Sequence, residues 1–176
     1  ERRRAAGDIG GYGVATWDAC RVHRGHDAYL SLPEVTDRAE AAAESVGADE
    51  HGLIAVQLPF NVMMADAVTV DAHRHPTEDR DVSALEYAQA VDLHVVASAT
   101  LAQGSLAASV PPAVHAELNG ETPAHRAINF ARTAPGVTVA LVGPSSPAHV
   151  AEHVWCGTCD PLGARAFDAV FVCDYR

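Results

Sequence analysis

Three short stretches of this 176-residue chain carry residue types that could do chemistry. The first is Gly143-Pro144-Ser145-Ser146-Pro147, which separates the apolar run 137–142 from Ala148-His149-Val150-Ala151-Glu152. A strand ending in glycine and serine hydroxyls directly before a helix start is suited to a phosphate. First-turn N–H groups and the positive end of the helix dipole then point the same way. Ser146 as N-cap and Pro147 at the first helical position are the matching start signals. The same residues also serve an ordinary capped helix. The second stretch, Trp155-Cys156-Gly157-Thr158-Cys159, is spaced like a redox dithiol or half of a zinc site. Dithiol chemistry wants the first cysteine at a helix N-terminus, where the dipole lowers its pKa. Here the pair follows a helix predicted over 147–154, at the wrong end of the dipole. Cys20 and Cys173 have no partner at metal-ligand spacing. The third stretch is His73-Arg74-His75 in a polar insert, 69–81, read as a solvated loop, and no metal site is assigned.

The elements that must position these residues alternate along the chain. Apolar runs predict strands over 9–15, 53–58, 93–99 and 137–142. Between them, the Ala-Glu-rich segment 33–46 predicts a helix. Segment 83–90, with Leu85 and Ala88 at helical spacing and Ser83 as N-cap, predicts another. A third opens at Thr122-Pro123 and runs to Ala134-Pro135-Gly136. Strands alternating with helices argue for an α/β fold with a parallel sheet, and near-continuous apolar strands argue that both sheet faces are buried.

These blocks carry a family resemblance. Ile9-Gly10-Gly11-Tyr12-Gly13-Val14-Ala15-Thr16-Trp17-Asp18 resembles the fifth strand of aldo/keto reductases, and Val56-Gln57-Leu58-Pro59-Phe60-Asn61 their sixth. Val95 to Gly104 is similar to the seventh strand with its loop, and Gly143 to Glu152 to the eighth strand and the helix that holds the adenosine phosphate. All four stand in family order, over roughly residues 9–168. A full (β/α)8 barrel needs about 250 residues, so the resemblance implies a single domain over 1–176 built of parallel β/α units, equivalent to the C-terminal half of a TIM barrel. It implies NADP or NAD as cofactor, and carbonyl reduction in the full-length family. The family's proton-donating tyrosine and its lysine, aspartate and histidine partners belong to strands without a counterpart here. Tyr12 lies in the fifth strand, the chain has no lysine, and no catalytic residue is assigned.

The implied cofactor contacts fall in three groups. Thr16 and Gln57 match positions for the nicotinamide carboxamide, while Ala15 offers it nothing, and Ser98 stands where many members stack a tyrosine on the ring. Leu101 and Gln103 match the loop beneath the pyrophosphate. Gly143, Ser145, Ser146, His149, Glu152 and His153 match the adenosine-phosphate segment, with a glycine in place of the common lysine and a histidine in place of the common arginine. Two other readings stand beside the reductase half: a nucleotide-binding or regulatory module without chemistry, and a CxxC redox protein. Half a barrel leaves edges open at 9–15 and 137–142 and leaves the layer of Val14, Val56, Val96 and Val139 without its opposing half. A homodimer or a complementary N-terminal half-barrel is the expected partner.

Composition adds an environment. Twenty-three acidic residues against twelve arginines give a formal net charge of −11. That charge disfavours nucleic acid and suits a halophilic, high-salt cytoplasm, where screening tames self-repulsion. The basic run Arg2-Arg3-Arg4 reads as a solvated helix end. No apolar run is of membrane length and no signal peptide is visible. The sequence starts at Glu1, without methionine, and is read as a fragment or a processed chain.

Overall fold

A computed structural model describes residues 1–172 of the chain. Helices are α1 (Arg2–Ala5), α2 (Leu32–Glu44), α3 (Asp66–Thr69), α4 (Ala84–Ala90), α5 (Ser105–Ala108), α6 (Pro112–His115), α7 (Pro123–Thr133), α8 (Pro147–Thr158) and α9 (Ala164–Val172). Strands are β1 (Tyr12–Ala15), β2 (Leu53–Pro59), β3 (His73–Arg74), β4 (Asp81–Val82), β5 (His94–Ser98) and β6 (Val137–Ala140). The chain gathers into two compact units, one of Glu1–Leu58 with Asp66–Val96, the other of Pro59–Ala65 with the chain from Ala97 onward.

In the first unit the strand order is β1-β2-β5. β1 and β2 run parallel, with Val14 opposite Val56 and Ala15 opposite Gln57. A glycine is required at position 13, because a Cβ there would lie 2.8 Å from the Ala55 carbonyl oxygen. The strand predicted over 9–15 forms only from Tyr12, since Gly10 and Gly11 bring no side chain to pack and Ile9 is exposed. α2 starts as its sequence directs, with Pro33 in its first turn and the Ser31 hydroxyl accepting from the Glu34 N–H at 3.4 Å. α4 is capped in the same way by Ser83.

The insert 69–81 is not simply a solvated loop. It holds most of the antiparallel β3–β4 hairpin, and His73 within it is 0% exposed. Its Nδ1 accepts from the Leu32 N–H at 3.3 Å, and its Nε2 donates to the Cys20 carbonyl at 2.8 Å. The rings of Tyr29 and Tyr87 lie beside it, at centroid distances of 5.9 and 6.1 Å. A neutral imidazole is donor and acceptor at once, so it satisfies two buried peptide groups that have no strand partner. Burial is the main force holding its pKa below the usual histidine value, with the nearby Arg24 charge acting in the same direction.

The second unit pairs the end of β5 with the chain beside β6: Leu141 N–H donates to the Ala97 carbonyl at 2.8 Å. Its core is a run of stacked rings, Phe60 on Phe130 at 5.4 Å and Phe130 on Phe167 at 5.1 Å. α7 opens as predicted, with Pro123 in its first turn and Thr122 accepting from the His125 N–H at 3.1 Å. Residues 164–172, for which the sequence predicts no element, form α9 and bury Phe167 and Val170.

The strands correct one expectation. Val56 and Leu58 on β2 are buried, and so are Val95 and Ala97 on β5, whereas their alternates Ala55, Gln57, Val96 and Ser98 are only half-buried. Val139 and Leu141 are each 44% exposed. Only β5 alternates cleanly between buried and partly open side chains; β2 buries Leu53, Val56, Leu58 and Pro59 but exposes Ile54, and β1 and β6 bury no residue, although the runs read as apolar.

Candidate functional site

The start of α8 is built from its own sequence. The Ser146 hydroxyl accepts from the His149 N–H at 3.2 Å, Pro147 occupies the first turn, and Val150 N–H returns to the Ser146 carbonyl. The cap thus uses a first-turn donor that a bound anion would otherwise find, leaving the Ala148 amide as the open donor of that turn. The Ser145 hydroxyl lies 3.1 Å from His149 Nδ1, and the His149 and His153 rings stack at 6.4 Å.

Ser145, His149 and His153 line a cavity of about 400 Å³. Its wall includes Gly143, Ser145, His149, Glu152 and His153 from the α8 side, and Leu101 and Gly104 from the loop after β5. Thr122, Ala124 and Ala107 close it from α7 and α5. Glu152 is held in place across the helices. Its Oε1 accepts from the Thr122 hydroxyl at 3.2 Å and lies 3.1 Å from His125 Nε2. The loop between β5 and α5 is strained, with φ of 53° at Ala99, 46° at Ala102 and 56° at Gln103, followed by Gly104 at 96°. A non-glycine residue in the left-handed region costs about 1–2 kcal/mol, and such strain concentrates where a loop has a job beyond connecting elements.

Not every sequence-predicted residue joins this cavity. Leu101, Gly143, Ser145, His149, Glu152 and His153 do. Ser146 acts as the helix cap and Gln103 is exposed on the strained loop. Ser98 ends β5, its carbonyl accepting from the Phe60 N–H at 3.0 Å. Thr16 and Gln57 belong to the first unit, where the Thr16 N–H donates to the Gln57 carbonyl at 2.8 Å and the Thr16 hydroxyl to the same oxygen at 3.4 Å. Sequence reasoning missed the second role of Thr122. Its capping pattern was readable, but its bond to a carboxylate thirty positions later left no local signal.

Two further groups bear on the chemistry. The Tyr12 phenol donates to Glu1 Oε1 at 2.7 Å, and burial first, then Glu1, push its pKa to about 12. The cysteine pair does not follow α8 as predicted but occupies its last turn and C-cap. Cys156 is 1% exposed, its thiol donates to the His125 carbonyl at 3.6 Å, and burial pushes its pKa up, away from a reactive thiolate. Cys20 is buried and raised to about 11, and Cys173 lies outside the described residues. Among the described residues no cluster of three or more His, Cys, Asp or Glu side chains could hold a metal, and no helix is long and apolar enough to cross a membrane. A larger acidic hollow of about 700 Å³ opens in the first unit beside Leu53 and His94, where β2 and β5 begin. Parallel β/α folds carry their sites at the opposite, C-terminal ends of the strands.

Strands alternating with helices, and a cavity at the start of a helix that follows a strand, define the β/α class of fold. The comparisons make this particular. No family model and no curated protein matches the chain. Among solved structures, it is similar to aldo-keto reductase AKR11C1 from Bacillus halodurans in its holo form, at 17% identity and TM-score 0.61, over 97% of this chain and 52% of that one. The apo form gives 17% and 0.62, over 97% and 53%. The thermostable aldo-keto reductase Tm1743, in complex with the inhibitor epalrestat, gives 16% and 0.60, over 96% and 50%. The chain spans about half the length of these structures. Its fold is that of half an aldo-keto reductase barrel, as the sequence blocks imply.

Proposed function

We propose that this chain is the nicotinamide dinucleotide-binding half of an aldo/keto reductase-like oxidoreductase, with the adenosine phosphate at the start of α8. The observation that carries this reading is the 400 Å³ cavity, which gathers six of the eleven residues that the resemblance assigns to the cofactor. Its chemistry fits a phosphate. The Ser145 hydroxyl and the Ala148 amide are donors at the positive end of the α8 dipole. A Cβ at Gly104 or Gly143 would meet nothing within 4 Å, so the wall is open at both positions. When bound, the cofactor supplies hydride to a carbonyl. This chain's part is to bind and orient it, with Leu101 and Gln103 along the pyrophosphate and Ser98 toward the nicotinamide.

A second reading, a nucleotide-binding or regulatory module with no chemistry of its own, is favoured by one fact. The chain contains no lysine to activate a tyrosine, and Tyr12 is tied to Glu1. Without a positioned general acid, a factor of about 10²–10⁴ in rate is missing, so the chain alone is proposed to be inactive on aldehydes. A homodimer or a complementary half-barrel would cover the half-open strand faces, and a salt-rich cytoplasm would suit the net charge of −11. Calorimetry with NAD and NADP tests the reading. Ser145→Ala and Glu152→Ala are each expected to weaken binding, by about 1 and 1.5–3 kcal/mol for a neutral and a charge-assisted hydrogen bond. Absence of binding to the unaltered chain would overturn it.

A further inference from the structure

We infer that a second cavity, between α7 and the last turn of α8, binds a small planar organic cation with N–H donors, an amidinium or a guanidinium. The cavity encloses about 300 Å³, lies within the second unit, and shares no residue with the one at the start of α8. Its inner wall is made by His125 and Asn129, one turn apart on α7 and only 5% and 2% exposed. In each, a buried polar atom has no hydrogen-bond partner among the described residues: His125 Nδ1 and Asn129 Oδ1. Buried polar atoms are nearly always paired, and two orphans in one cavity point to a ligand that pairs them. Both are acceptors. Asn129 Nδ2 donates to the Asp160 carbonyl at 3.2 Å, a bond that only the amide nitrogen can make, so Oδ1 is the free end. Glu152 Oε1 lies 3.1 Å from His125 Nε2 without hydrogen-bond geometry, yet its charge favours the ring proton on that nitrogen and leaves Nδ1 to accept.

The rest of the wall sets the charge. Glu121 and Asp160 supply two carboxylates at the exposed rim, and no arginine lines the cavity. Arg132, outside the wall, donates from Nη2 to the Cys159 carbonyl. A Cβ at Gly120 would lie 2.7 Å from the Arg126 nitrogen, so glycine there lets the loop approach α7 and carry Glu121 to the rim. Trp155 closes one side, its ring 4.7 Å from that of His125 and 43% exposed. An indole face attracts a flat cation through its quadrupole, and the net charge of −11 adds a field of the right sign. A neutral amide would answer the acceptors but not the carboxylates. A quaternary ammonium would answer the carboxylates and the indole but not the acceptors.

The test is calorimetric titration of the chain at pH 8 with benzamidine, benzamide and phenyltrimethylammonium, three probes with the same ring. Benzamidine is expected to bind at least about tenfold tighter than either, a difference of ~1.4 kcal/mol. Trp17→Phe leaves Trp155 as the sole indole, whose fluorescence is expected to change with the same midpoint. Glu121→Gln combined with Asp160→Asn removes two exposed charges, and is expected to weaken benzamidine about tenfold. Asn129→Leu is expected to abolish binding, with circular dichroism verifying its fold; the exposed pair keeps the test intact if that variant does not fold. No binding at millimolar benzamidine would overturn the inference, and so would equal binding of the three probes. A benzamidine preference that leaves Trp155 fluorescence unchanged, or that the charge-removing pair does not move, would overturn its assignment to this cavity. None of these outcomes depends on the nucleotide reading above.

Discussion

His73 gives the sharpest stability prediction. Among the described residues its imidazole partners two buried peptide groups, the Leu32 N–H at 3.3 Å and the Cys20 carbonyl at 2.8 Å. His73→Leu keeps most of the volume between Tyr29 and Tyr87 and removes both partners. A buried group left unsatisfied costs about 1–3 kcal/mol, so losing both is expected to lower stability by about 2–6 kcal/mol. That is a large part of the ~5–15 kcal/mol that holds a domain together. The pH dependence carries an independent sign. The folded state holds His73 below the ordinary value of 6.5, chiefly by burial. Folding therefore favours the neutral ring, and this contribution is complete above pH 6.5. It is lost as pH falls from there toward the depressed folded value. Urea unfolding followed by circular dichroism, run on both proteins between pH 8 and pH 5, is the assay. The gap between parent and variant is expected to narrow as pH falls. A loss under 1 kcal/mol at pH 8, or a gap that does not change with pH, would refute the reasoning.

Four further outcomes follow from the same structure. Gln103→Gly, at φ 56°, is expected to stabilise the chain by about 0.5–1 kcal/mol in thermal unfolding, whereas Ala90→Gly at the end of α4 is expected to lose about 1 kcal/mol. Mass spectrometry after brief alkylation at pH 8 is expected to find Cys159 modified well before Cys156, which is 1% exposed with a raised pKa; equal labelling would contradict that burial. Sedimentation in molar salt is expected to return a dimer, since the 44% exposed Val139 and Leu141 and the half-buried Val96 leave apolar surface to cover, and a cooperatively folding monomer would contradict it.

What the sequence disclosed divides by range. The caps at Ser83, Thr122 and Ser146 were readable because each bonds a backbone N–H three residues on, and Ser31, which was not read, caps α2 in the same way. The strand cores 53–58 and 94–98 were readable from their apolar runs, and the order of β/α units carried the fold. The partial exposure of those strands was not, because valine and alanine look the same on a covered face and an open one. His73 misled for a related reason: its type and polar neighbours suggest solvent, while its partners are residues 20 and 32. In the site, the Gly143–His153 segment was legible as a local motif. The Thr122–Glu152–His125 arrangement was not, since it joins side chains from two helices about thirty residues apart. The position of Cys156 inside α8 rather than after it shows the ordinary uncertainty of a helix end.

The central claim, a dinucleotide phosphate held at the start of α8, is tested most directly by amide shifts. In two-dimensional nitrogen–proton spectra of the labelled chain, titration with NADP, whose adenosine ribose carries the phosphate, is predicted to move the amides of Gly104, Ser145, Ala148 and His149 first and furthest. Shifts that gather instead around the acidic hollow of Glu44, Asp49 and His94, or a spectrum that does not respond at millimolar nucleotide, would contradict it.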